Sequence, residues 1–89
     1  MFIVCKGNSQ IKVETKEDAN AITYVLNELD CPDSLTKKQI IGGKPQGEKF
    51  NVSFMGKDVT VLSRESVEEL LNWLLVLGTE TISIERMSE

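Results

Sequence analysis

Apolar and polar positions along this chain follow two periods, and the switches between them mark out the elements. Residues 2–5 (FIVC) are apolar on both faces, which predicts a strand inside a sheet rather than at its edge. Gly7-Asn8 supplies a tight turn. Ile11 and Val13 then alternate with Gln10, Lys12 and Glu14, the period of a half-buried strand. At Thr15 the period changes. Thr15 with Asp18 three residues on is close to a capping box, and Ala19, Ile22, Val25, Leu26 and Leu29 follow at helical spacing. The sequence DCPD at 30–33 ends that helix.

The same plan returns downstream. Phe50, Val52 and Phe54 alternate with Asn51 and Ser53, Gly56-Lys57 reads as the turn, and Val59 and Val61 alternate with Asp58 and Thr60. Ser63 caps a second helix that runs to Gly78 and contains a five-residue apolar run, 73–77. A shift of 48 residues aligns the halves without a gap from Phe2/Phe50 to Leu29/Leu77, matching Val13 to Val61, Thr15 to Ser63 and Ile22 to Leu70. The offset has two explanations, shared descent and the common pattern of any two amphipathic ββα units. A final strand at 81–87 places Ile82 and Ile84 on one face.

These elements predict an α+β fold: two layers, with a five-stranded, mainly antiparallel sheet and two helices on one of its faces, in the order ββα-ββα-β. The opposite face carries Lys12, Glu14, Asn51, Ser53 and Thr60, with Ile3 and Cys5 as its apolar members. A length of 89 residues fits a single domain, divided into a ββα unit at 1–31, a connector at 32–48 and a second ββα unit with the final strand at 49–89. The strand order stays open, because a hairpin fixes only its own two strands.

The connector is the least regular part. Asp33-Ser34 reads as the cap of one helical turn through Leu35, Lys37, Lys38 and Ile40, followed by a glycine-rich loop at 42–47. Lys37, Lys38, Lys44 and Lys49 face one acid, Glu48, a local charge of +3 in a chain whose net charge is −4. This basic stretch reads as a solvated loop, as a dock for an acidic protein surface, or as a phosphate contact. The phosphate-loop spacing GxxxxGK(S/T) is absent, the segment leads into a strand instead of opening a helix, and no aromatic residue is interleaved for bases to stack on.

Composition narrows the chemistry. The chain has no histidine, the commonest general base and metal ligand. Its two cysteines, Cys5 and Cys31, lie far apart without a CxxC pair, so neither a zinc site nor an activated thiol is expected. The apolar start at 1–5 is too short for a signal peptide, and no apolar run approaches the ~20 residues of a membrane span. A cytoplasmic protein with reduced thiols is the expectation. Glu65, Glu68 and Glu69 suit the N-terminal end of a helix dipole. No catalytic residue, cofactor or metal site is expected.

The two helices differ in one respect. With Leu70 at zero and ~100° per residue, Leu74 and Leu77 fall within ~40°, and Val67 and Trp73 flank them at ~60°. The first helix matches this stripe. Leu71 and Leu75, at ~100° and ~140°, and Val76 nearly behind, have the polar counterparts Thr23, Asn27 and Glu28. Either another part of the chain covers them, or Leu71, Leu75, Val76 and the neighbouring Trp73 form a partner interface. The expected function is a small non-catalytic protein–protein interaction module. It would act as regulator, inhibitor or adaptor, of the kind encoded as accessory proteins by phages and mobile elements, and would bind a second copy of itself or another target. The alternative is a nucleic-acid-associated protein contacting phosphates through 37–49.

Overall fold

Both hairpins form where alternation predicts them. A computed structural model describes residues 1–30, 34–39, 48–78 and 81–87. The chain is α+β, with a six-stranded antiparallel sheet and two helices. Strands β1 (Phe2–Lys6) and β2 (Ser9–Val13) pair through the Gly7-Asn8 turn, and helix α1 spans Lys16–Glu28. Strand β3 (Leu35–Gln39) follows. Strands β4 (Lys49–Phe54) and β5 (Lys57–Val61) form the second hairpin, helix α2 spans Arg64–Val76, and β6 (Ile82–Met87) closes the order.

The expectation of five strands fails by one. Residues 35–39, read from the sequence as a helical turn inside a connector, form β3, which pairs antiparallel with β1 from Lys6↔Leu35 to Phe2↔Gln39. The stretch LTKKQ carries one apolar residue, so its conformation is set by the ladder β1 offers and not by its own pattern. Its two lysines are of the type that blunts sheet edges. β1 lies inside the sheet, as its apolar faces predict.

The strand order is β3-β1-β2-β5-β4-β6. It reads as two mirrored triplets meeting at β2 and β5. The junction is short: Val13 stands opposite Val61, flanked by Glu14 N–H donating to the Thr60 carbonyl at 3.1 Å and Leu62 N–H donating to the Lys12 carbonyl at 3.0 Å. Each of these pairs maps onto the other under the 48-residue offset. β6 follows β3 at an offset of 47, since Lys37 stands opposite Val4 and Ile84 opposite Val52.

Helix boundaries follow local chemistry. Thr15 accepts the Asp18 N–H at 3.2 Å while the Asp18 carboxylate accepts the Thr15 N–H at 3.1 Å, a complete capping box. Ser63 accepts the Ser66 N–H at 3.1 Å. Beyond the C-caps, Asp30 (φ 55) and Gly78 (φ 90) both take the left-handed conformation that ends a helix. The second hairpin turns at Met55-Gly56, one residue earlier than the sequence suggests, with φ 48 and 75.

Val4, Ile11, Val13, Val52, Phe54, Val59 and Val61 present one sheet face to Ala19, Ile22, Val25 and Leu26 of α1 and to Val67, Leu70, Trp73 and Leu74 of α2, all buried. The two buried polar residues among those described, Asp18 and Ser66, are also 48 apart. Both sit at the third position of their helix, where they complete the caps.

Candidate functional site

The surface that differs between the halves is on the second one. Helix α2 has an inner flank fixed by two contacts. Ser66 Oγ accepts the Lys12 N–H of β2 at 3.0 Å, and Lys6 at the end of β1 places its Nζ 5.7 Å from the centre of the Trp73 ring. Both residues lie on one side of Leu70, at ~40° and ~60°. Leu71 and Leu75 lie on the other side, at ~100° and ~140°.

Along that flank burial falls with angle. Leu71 is half-buried and packs on the edge of the core, while Leu75 is 61% exposed; Val76, at ~120° on the Ser66 and Trp73 side, is 80% exposed. Trp73, at 4% exposure, belongs to the core. The sequence-derived interface set of Leu71, Trp73, Leu75 and Val76 thus contains one core residue, one marginal residue and two exposed ones.

Ile84 joins the exposed pair at 43%. Facing Val52 across the ladder, it points to the helix-covered side of the sheet, but on an edge strand. Sequence alternation placed Ile84 with Ile82 and gave no sign of its exposure. That sign comes from its equivalent Lys37 on the opposite edge, which is visible only once β3 is known to be a strand. Among the described residues the remaining exposed large apolar ones are Tyr24 and Met55, and Lys57 Nζ sits 5.2 Å from the centre of the Tyr24 ring.

The positions equivalent to Leu75, Val76 and Ile84 are Asn27, Glu28 and Lys37, and all three are exposed. The fold puts the same three positions in solvent in both halves. The first half fills them with polar residues and the second with apolar ones. At the neighbouring position 23, Thr23 returns its hydroxyl to the Ala19 carbonyl at 2.8 Å, where the second half has Leu71.

The basic residues do not gather. Lys37 and Lys38 alternate to opposite faces of β3, and Lys37 Nζ donates to Asn20 Oδ1 at 2.7 Å. Lys49, at the start of β4, pairs with Glu14 at 2.8 Å. Lys44 lies outside the described residues. A cavity of about 300 Å³ between α1, β1 and β3 is lined by Phe2, Lys16, Ala19, Asn20, Lys37 and Gln39.

Among the described residues no three His, Cys, Asp or Glu side chains group so as to hold a metal ion, and no helix is long and apolar enough to cross a membrane. Cys5 is a half-buried free thiol. No protein-family model, curated protein or solved structure matches the chain.

Proposed function

We propose that this protein is a small non-catalytic interaction module that binds another protein on the α2–β6 side of its second half. In that role it would act as regulator, inhibitor or adaptor. The observation that carries the reading is the exchange of Asn27, Glu28 and Lys37 for Leu75, Val76 and Ile84 at positions exposed in both halves. Solvent exposure accounts for the polar set. Solvent exposure alone gives no reason for large apolar residues at all three positions of the second half. Covering Leu75 and Val76 contributes about 1.5–3 kcal/mol each.

On this reading the chain is an internal repeat of two ββαβ units. Its support is the mirrored strand order, the Val13–Val61 junction, the paired caps at Thr15 and Ser63, and the left-handed residues Asp30 and Gly78. Nothing in the arrangement of the described lysines favours the nucleic-acid alternative, since Lys49 is paired with an acid and Lys37 and Lys38 diverge.

The test is affinity capture from the native host with the wild-type chain and with Leu75→Asn/Val76→Glu, which installs the residues the first half already carries at these positions. A protein retained by the wild type and lost by the folded variant supports the reading. Identical capture by both counts against it.

A further inference from the structure

Lys37 and Asn20 meet across a gap between helix α1 and the edge of the sheet. In the β1–β3 ladder Phe2 stands opposite Gln39 and Val4 opposite Lys37. Residues directly opposite in an antiparallel ladder share a face, and Val4 is fully buried in the core. Lys37 and Gln39 therefore rise on the helix-covered side, while Lys38 points to the other. Between them and α1 lies the cavity of about 300 Å³, with Phe2 and Ala19 as its apolar members and Lys16, Asn20, Lys37 and Gln39 as its polar ones. That volume is at the small end of the ~300–1,000 Å³ of ligand pockets.

The lining contains two lysines and no acid. Of the acids in the first turn of α1, Asp18 is held by the Thr15 cap. Lys37 Nζ spends one of its three donors on Asn20 Oδ1 at 2.7 Å. Two donors remain, and the bond leaves the Asn20 amide with its NH2 end to donate. The second half does not repeat this arrangement. The positions equivalent to Ala19, Asn20 and Lys37 hold Val67, Glu68 and Ile84: a larger side chain, an acid and an apolar residue. Phe50, the equivalent of Phe2, is 9% exposed, whereas Phe2 is half-buried. The same fold is thus built without these residues, so the fold alone does not call for them in the first half.

We infer that the cavity between α1 and β3 binds a small phosphate monoester with an apolar body. Such a group carries about −1.5 to −2 charges at pH 7, which the two lysines match. A planar carboxylate is best matched by the arginine fork, whereas lysine acts as a point charge with rotatable donors and suits the tetrahedral oxygens of a phosphate. Lys16 and Lys37 take the phosphate from two elements, Asn20 adds an amide donor between them, and Phe2 and Ala19 pack on the organic part. The site lies in the first half, apart from Leu75 and Val76. It goes beyond the docking reading and does not depend on it.

The experiment is nitrogen–proton correlation NMR of the full chain titrated with phenyl phosphate up to about 10 mM, a range that captures weak small-ligand binding. The wild type is compared with Lys16→Gln, Lys37→Gln, Asn20→Glu and Lys38→Gln. All four positions are exposed, and Glu is what the second half carries at the position of Asn20, so the fold is expected to hold, checked by circular dichroism. The expected result is saturable shifts at the amides of Lys16, Ala19, Asn20, Lys37 and Gln39. Binding should weaken at least about tenfold in the first three variants, as loss of a charge-assisted hydrogen bond does, and stay unchanged in Lys38→Gln. Absence of saturable shifts overturns the site. An equal loss in Lys38→Gln overturns it too, since net charge alone would then explain the binding. Inorganic phosphate binding as tightly as phenyl phosphate overturns the apolar body, and benzyl alcohol binding as tightly overturns the phosphate. A phosphotyrosine peptide binding more tightly than phenyl phosphate overturns the free small molecule as occupant.

Discussion

Val13 and Val61 stand opposite each other where the two central strands meet, and both are fully buried. Among the described residues the sheet crosses from one half to the other at this short junction and its two flanking hydrogen bonds. The valines also lie under the helices, so they join the ladder to the core.

Val13→Ala and Val61→Ala are each expected to cost about 2–3 kcal/mol, from lost burial and the cavity left behind. Because the two residues touch, the double variant should depart from additivity by at least about 0.5 kcal/mol. Urea unfolding of the two single variants and the double variant measures both quantities.

Ser66 ties helix α2 to β2. Its hydroxyl accepts the Lys12 N–H at 3.0 Å and the Ser63 hydroxyl at 2.9 Å, and it is 3% exposed. Removing it strips a backbone donor of its acceptor, for a cost of about 1–3 kcal/mol. Ser63→Ala or Thr15→Ala removes a cap at about 1 kcal/mol. Ser66→Ala should therefore destabilise more than Ser63→Ala. Hydrogen exchange at the Lys12 amide should accelerate in Ser66→Ala beyond what the change in global stability explains.

Trp73 is a core residue by burial, so Trp73→Ala is expected to cost about 3–5 kcal/mol. In the wild type its fluorescence should shift to the red on unfolding. Leu74→Ala should cost about 2–5 kcal/mol for the same reason. Thermal unfolding followed by circular dichroism ranks both against the exposed sites.

Met55 takes φ 48 beside Gly56 at φ 75 in the second hairpin turn. Two successive left-handed residues favour Asn-Gly, and a methionine is sterically disfavoured at the first of them. Met55→Asn is expected to stabilise the protein by about 0.5–1 kcal/mol, read as a higher urea midpoint with an unchanged slope.

The helices and hairpins were legible because each carries a clean period: Ile22, Val25 and Leu26 at helical spacing, Phe50, Val52 and Phe54 at every second residue. β3 was not, because Leu35 is its only apolar residue and its conformation is set by pairing with β1. The candidate surface was half legible. Angle alone separated Leu70 from Leu75, but the burial boundary on α2 falls between the ~60° of Trp73 and the ~140° of Leu75, and only packing locates it. Ile84 was hidden because alternation reports which face a residue takes, and its exposure comes from its place at the edge of the sheet.

The decisive measurement is the unfolding free energy of Leu75→Asn/Val76→Glu at low protein concentration. If both residues are surplus to the fold, the variant should lie within about 1 kcal/mol of the wild type, as exposed substitutions do. A loss of about 3 kcal/mol or more would show that they act as core residues, and the α2 side would then have no apolar surface to offer a partner.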